Sequence, residues 1–302
     1  MTHSAVIVTR DRAAEIESAL RGLLAQSSVP DEIIVVDASD DRATDEPPER
    51  SAAAADQRIR HITSEAGISR QRNIGLDASR GDLVSFFDDD VLLDAQYLRV
   101  VLDRFAADTE SLIGGIGGLM TNPPRRSALE TAFRKLFLIQ TDKGLNRFRS
   151  SGIPDPGYAF KDESEVEVLA TTAVTYRRSA IADIRFDEHR LGGAAFGFTS
   201  GRCFGEDMLF SSMVGERHRL LILPAARFEH HPSPANREEV FTMQTLYITA
   251  LRLLSAPRKR NAAARQWAMA GLFILSVLQT LRYGDVGYMR GYFASLRRTR
   301  GA

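Results

Sequence analysis

Residues 86 to 93 read FFDDDVLL, so that Asp88, Asp89 and Asp90 follow one short apolar run and precede another. Adjacent carboxylates repel one another and lose hydration when buried, so such a cluster either faces open water or meets a cation that offsets the repulsion. A hard divalent ion, Mg2+ or Mn2+, would find oxygen ligands here. A solvated acidic turn that caps a helix beginning near Asp94 is the alternative.

Three other stretches carry groups able to do chemistry. Asp37 closes the run DEIIVVD just ahead of Ser39 and Asp41, a polar pocket suited to hydrogen-bonding a base or a ribose. Arg70 and Arg72 open the segment ISRQRNIG. A cation at a helix start opposes the helix dipole, so local helix stability does not explain them; Arg72 is placed to pair with a phosphate, with Asp37 or with Asp88. Glu206 and Asp207 follow Gly205 at the first turn of a further helical segment. Acids are favourable there on capping grounds alone, which leaves capping and chemistry both open for this pair.

The elements that must position these groups are legible from periodicity. SAVIVT, DEIIVVD, RIRHIT and LVSFF read as buried strands, and RAAEIESALRGLLAQ and ISRQRNIGLDASRG as helices between them. This strand-helix alternation predicts an α/β fold: a Rossmann-like, mostly parallel sheet flanked by helices, with Asp37 and the Asp triplet at one sheet edge. Ligands bind beyond the carboxyl ends of strands in such sheets. A helix is expected from Tyr97 to Ala107, and LIGGIGGLM as a glycine-rich strand or close-packed turn. The stretch Asn122 to Asp162 is expected to be an irregular loop over the site. HRLLILPAARFEHH reads as a late strand pair, and from Glu238 the pattern is helical. The domain organisation expected is therefore a catalytic domain over 1–237 and a helical extension over 238–302.

Lys plus Arg and Asp plus Glu both number 39, which gives no charge argument for a nucleic-acid partner. The balance is uneven along the chain. From Leu251 onward ten Arg or Lys stand against the single Asp285, which leaves the preceding part net acidic by nine. Cys203 is the one cysteine, so no internal disulfide framework or multi-cysteine zinc site exists. Met1 is followed by a polar stretch and a strand rather than a charged and apolar leader, and a cytoplasmic location is expected. Gln266 to Leu281 is uncharged for 16 residues, fewer than the roughly 20 a spanning helix needs. With Arg258, Lys259, Arg260 and the tail Arg297, Arg298 and Arg300, the extension suits peripheral contact with an anionic membrane surface. A helical pair that covers the catalytic domain or makes a dimer contact is the other reading.

The order of these stretches resembles the family 2 glycosyltransferases of the GT-A fold, over about residues 4 to 237. The family's first strand-loop is matched by VTRDR at Val8 to Arg12, its VVDxS at Val35 to Ser39, and its ARNxG at Gln71 to Gly75. The DxD is matched at Asp88 to Asp90, GED at Gly205 to Asp207, and a late HxxSPxxR at His230, Ser233, Pro234 and Arg237. Two departures stand out: Arg10 replaces an aromatic residue, and Val168 to Thr171 replace a Trp-Leu-x-Gly that walls the acceptor side.

The resemblance implies an inverting, metal-dependent transfer of a sugar from a nucleoside-diphosphate sugar to an acceptor hydroxyl. It implies that Asp37 contacts the base, with Thr9 and Asp11 in the same pocket, and that Asp88 sits near the ribose with Asp89 and Arg72 on the nucleotide side. Asp90 would hold Mg2+ or Mn2+ on the diphosphate, with His230 completing that site unless His231 does. Asp207 would be the catalytic base, and Glu206 would place the acceptor. A glycan or lipid-linked acceptor, as in surface polysaccharide or glycolipid assembly, is the expected partner, at the inner face of the cell membrane. A sugar-1-phosphate nucleotidyltransferase would carry a glycine-rich loop after the first strand, and TRDRAAE has no glycine. A catalytically silent nucleotide-sugar-binding protein is the remaining alternative, against which the presence of both Asp90 and Asp207 argues.

Overall fold

The computed structural model describes residues 1–39, 56–141, 143–189, 204–232, 240–255 and 261–298. Of the residues singled out above, Asp41, Cys203, Ser233, Pro234, Arg237, Arg258, Lys259, Arg260 and Arg300, with the side chains of Arg297 and Arg298, lie outside the described residues. The chain divides into two compact units. One comprises Met1–Pro123, Phe160–Phe186 and Phe210–Ser233, the other Pro124–Ala159, Asp187–Leu209 and Pro234–Ala302.

In chain order the elements are β1 (His3–Thr9), α1 (Ala13–Leu24), β2 (Glu32–Asp37), β3 (Ile59–Thr63), α2 (Ile68–Ala78), β4 (Leu83–Asp88), β5 (Val91–Leu93), α3 (Tyr97–Ala106) and β6 (Ile113–Met120). There follow α4 (Ala128–Leu136), β7 (Arg147–Phe148), β8 (Pro154–Asp155), β9 (Ser164–Val166), β10 (Ala173–Arg177), α5 (Glu206–Gly215), β11 (Arg219–His230), α6 (Val240–Ser255), α7 (Ala262–Tyr283) and α8 (Gly287–Arg298).

The first unit is built on one mixed sheet of order β3-β2-β1-β4-β10-β6-β11-β5, with β9 pairing β11. The half from β3 to β4 is parallel throughout, and β6 and β11 are parallel, while β10 runs antiparallel between β4 and β6. The centres of β1, β2 and β4 are mostly apolar because both faces are covered, whereas β3, at the sheet edge, is half exposed. Successive side chains alternate between faces. Ala5, Ile7, Ile33, Val35, Leu83 and Phe87 pack with α1 and α3 on one side. Val6, Val8, Ile34, Val36, Val84 and Phe86 pack with Leu76 of α2 on the other.

The chain runs outward from β1 to β2 and β3, then returns to place β4 on the other side of β1. That reversal is the topological switch point at which open α/β sheets bind ligands. The late strand pair expected from HRLLILPAARFEHH is instead the single strand β11, whose register against β6 shifts between Leu223 and Arg227. Pro224 falls in that irregularity, where a missing N–H costs the ladder least.

The second unit holds α4, the β7–β8 pair and α6 to α8 around a core that includes Phe137, Ile139, Ile153, Ile248, Leu251 and Leu272. The stretch expected as an irregular loop thus carries a helix and a hairpin. Ser127 caps α4 by accepting from Glu130 N at 3.1 Å. The buried Asp155 carboxylate fixes the rest by accepting from Thr141 N at 2.6 Å and from Arg149 Nε at 2.8 Å. Asn261 opens α7 by accepting from Ala263 N, and Gly284 closes it at φ 69°. Among the described residues no helix is long and apolar enough to cross a membrane.

Candidate active site

Strand register alone gathers the first set of groups. In β1 Thr9 lies opposite Asp37 of β2, and Val8 opposite Asp88 of β4, so Thr9, Asp37 and Asp88 end three adjacent parallel strands at one sheet edge. Asp37 accepts from Ser39 N at 2.9 Å and Ser39 Oγ at 2.5 Å, and Ser39 Oγ in turn accepts from Asp11 N at 2.8 Å. This ties the loop after β1 to the loop after β2. Asp11 takes the left-handed backbone conformation at φ 55°, a turn that an Asp tolerates better than most side chains.

The QRNIG segment of α2 braces those strand ends. Gln71 Nε2 donates to Thr9 O at 2.8 Å and Val36 O at 2.9 Å. Asn73 clamps the Phe186 backbone, donating to its O at 3.0 Å and accepting from its N at 2.9 Å. A Cβ on Gly75 would stand 2.3 Å from Val6 Cγ1, so only glycine lets α2 lie this close to β1. Arg72 is buried, lies over the Phe186 ring, and donates from Nη2 to Asp88 Oδ1 at 3.0 Å. Of the three partners its sequence position allowed, the structure thus pairs it with Asp88.

The Asp triplet is divided by environment. Asp89 is buried, with Oδ2 accepting from Thr9 Oγ1 at 2.7 Å and Oδ1 from Arg12 Nη1 at 2.5 Å. Burial pushes its carboxyl up to about 6 against the opposing pull of Thr9 and Arg12. The same Arg12 nitrogen donates to Asp90 Oδ2 at 3.0 Å. Burial raises Asp90 too, but His230 and Arg12 outweigh it and hold the carboxyl below its ordinary value. His230 answers in the opposite sense: burial lowers its imidazole, and Asp90 more than offsets this and holds it above the usual value.

His230 Nε2 stands 3.0 Å from Asp90 Oδ1, whereas His231 turns to Glu229 at 2.9 Å and is half exposed. Asp88, Asp90 and His230 each offer one ligand atom within 4.8 Å of the other two. Asp90 Oδ1 is shut off from solvent yet receives no aligned hydrogen bond, so a lone pair remains there for a cation. The two carboxylates fit Mg2+ or Mn2+ in donor type, while the imidazole is the softer donor and favours a transition ion such as Mn2+ over Mg2+.

Glu206 and Asp207 belong to the second unit and open α5. Gly205 precedes them at φ 82°, beyond the reach of most side chains, with Ala250 and Leu254 packed against it. Glu206 is buried, and Asp207 Oδ1 accepts from Met208 N at 2.7 Å. Asp207 is close enough to Tyr158 to bear on its phenol, which burial raises, Arg126 lowers and Asp207 raises further.

The first unit therefore brings together Thr9, Asp11, Asp37, Arg72, Asp88, Asp89, Asp90 and His230, while Glu206 and Asp207 are placed by the other. Two roles escaped the sequence reading. Asp88 is a third candidate metal ligand rather than a ribose contact alone, which its spacing of two from Asp90 could have signalled. Arg12 is the cation inside the acidic cluster, and only its position just past β1 hinted at that.

Known structures and sequences place the chain. The solved structure of S. aureus TarS has a TM-score of 0.53 at 16% identity, covering 96% of this chain and 54% of that one. The chain thus spans about half the length of that relative. A shorter form of TarS, residues 1–349 in complex with UDP, gives 0.55 at 17% identity, covering 93% and 73% of the two chains. The same form in complex with UDP-GlcNAc gives 0.53 at 15%, covering 99% and 92%. These likenesses establish a shared fold. No curated protein matches the chain in sequence. The family model described as glycosyl transferase family 2 matches residues 4–185, which span β1 to β10 and the whole Asp triplet. The chain belongs to glycosyl transferase family 2.

Proposed function

We propose that the protein is an inverting glycosyltransferase that moves a sugar from a nucleoside-diphosphate sugar to an acceptor hydroxyl of a glycan or lipid-linked glycan, in surface polysaccharide or glycolipid assembly. The observation that carries this reading is the convergence of Asp88, Asp90 and His230 at the sheet's switch point in a family 2 chain. The UDP and UDP-GlcNAc complexes of TarS support a nucleotide-sugar donor.

In this account Thr9, Asp11 and Asp37 frame the base, and Arg72 orients Asp88 toward the ribose and diphosphate. Asp89 acts through Arg12, whose fixed guanidinium keeps Asp90 turned toward His230. Asp88, Asp90 and His230 would hold a divalent cation, which when bound would supply charge neutralisation at the departing diphosphate. Asp207 takes the proton of the acceptor hydroxyl as its oxygen bonds to the anomeric carbon and the bond from that carbon to the diphosphate oxygen breaks. Glu206 positions the acceptor. Attack opposite the leaving group inverts the anomeric centre without a covalent enzyme intermediate.

The test is nucleoside-diphosphate release from UDP-, GDP- and dTDP-sugars with Mn2+ or Mg2+, on the native chain and on Asp207→Asn. Release from one donor that falls by about 100-fold or more in the variant, with nucleotide binding retained, supports the reading. Tight binding without release from any donor, with candidate glycan acceptors supplied, would make the protein a silent nucleotide-sugar binder instead.

A further inference from the structure

The second unit carries an apolar face that its own core uses only in part: Trp267 stacks on Phe137 at 4.7 Å and donates from Nε1 to Leu136 O at 2.9 Å, and Phe273 lies 5.3 Å from Tyr292, yet each keeps a third or more of its surface exposed. Helix α7 buries Ala264, Ala268, Gly271, Leu272, Leu275 and Ser276. On another side, Trp267, Phe273, Ile274, Leu278 and Leu281 are between 36% and 76% exposed, and the face continues onto the exposed Phe293 of α8, whose ring lies 6.1 Å from that of Phe273. Exposed apolar surface that runs along several turns of one helix marks an interaction site. No charged residue lies between Arg265 and Arg282, which bracket the face. Trp267 and Tyr283, near its two ends, are both half exposed, the placement amphipathic rings take at a membrane–water boundary.

The occupant follows from charge. Ten Lys or Arg and one acid lie from Leu251 onward, in a chain whose remainder is net acidic. Among the described side chains α7 and α8 carry Arg265, Arg282 and Arg290, so two copies meeting through this face would bring like charges together, which opposes that contact. An anionic surface gains from the same charges. Because no described helix can cross a bilayer, the fitting arrangement is a helix lying in the interface plane with its apolar side among the acyl chains.

We infer that the exposed face of α7, continued by Phe293, docks this protein onto an anionic lipid bilayer. The face belongs to residues distinct from those assigned to glycosyl transfer, so the two readings fail separately. Trp267 is the chain's one tryptophan and reports on the face directly.

The experiment is flotation and tryptophan emission of the full chain with vesicles of phosphatidylcholine, or of equal parts phosphatidylcholine and phosphatidylglycerol. Binding to the anionic vesicles with a blue shift of emission, weakened about tenfold or more on neutral vesicles and in high salt, is expected. The pair Ile274→Asp with Leu278→Asp should lower flotation about tenfold at an unchanged melting temperature. Should that pair fail to fold, Arg265→Glu with Arg282→Glu is expected to weaken binding to the anionic vesicles alone. A native chain that stays soluble with unshifted emission overturns the inference. So does a dimer that Ile274→Asp with Leu278→Asp converts to monomer while vesicle binding is absent.

Discussion

His230 Nε2 stands 3.0 Å from Asp90 Oδ1, across a contact between the last residue of β11 and the turn after β4. The neighbouring His231 faces Glu229 instead. His230→Ala is therefore expected to weaken metal-dependent nucleotide binding by about tenfold or more, and His231→Ala to leave it unchanged. Titration calorimetry with and without chelator reads both.

Arg12 holds Asp89 and Asp90 with one nitrogen, and Asp89 is almost wholly buried. Removing one partner of such a pair leaves a buried charge uncompensated. Arg12→Ala should lower unfolding stability by about 3 kcal/mol in denaturant titrations. Arg12→Lys should recover part of this, because an ammonium keeps the charge but not the fork geometry.

Gly75 lies within α2, where alanine would ordinarily add up to about 1 kcal/mol of helix stability. Here its Cβ would collide with Val6 Cγ1. The steric effect is the larger, and Gly75→Ala is expected to destabilise by about 1 to 3 kcal/mol. Adding Val6→Ala should recover much of the loss, a coupling that a double-mutant cycle measures.

His3 forms a buried polar ladder with Ser85 at 2.7 Å and, through it, Thr175 at 2.6 Å, across β1, β4 and β10. Burial holds its imidazole down at about 4, against a smaller upward pull from Asp31. Between that value and the ordinary 6.5 the unfolded chain binds a proton that the folded chain refuses, so stability rises with pH. The contribution is complete above the ordinary value and is lost as pH falls toward about 4, amounting to about 3 kcal/mol. Denaturant midpoints across that range should be markedly flatter for His3→Asn than for the native chain.

Local pattern carries the parallel half of the fold, because a strand covered on both faces reads as a mostly apolar run and the centres of β1, β2 and β4 do. Their ends place Asp37 and Asp88 at one sheet edge from the sequence alone. What local pattern could not carry is contact across long separations. Arg12 meets Asp89 and Asp90 over more than 70 residues, and no periodicity encodes that. The segment around α4 was misread because nine residues give too short an apolar repeat, and its order comes from the Ser127 cap and the buried Asp155 carboxylate. The late strand pair expected from HRLLILPAARFEHH is likewise one strand, whose register shift keeps it continuous.

The central claim is that Asp88, Asp90 and His230 hold a divalent cation on a nucleoside diphosphate. Calorimetric titration of UDP, GDP and dTDP, with Mn2+ or Mg2+ present or chelated, tests it on the native chain and on Asp90→Ala. The account predicts that one nucleotide binds only with metal, and that Asp90→Ala loses about 100-fold or more in affinity. Binding that is indifferent to metal and to Asp90→Ala, or no binding of any of the three, would contradict it.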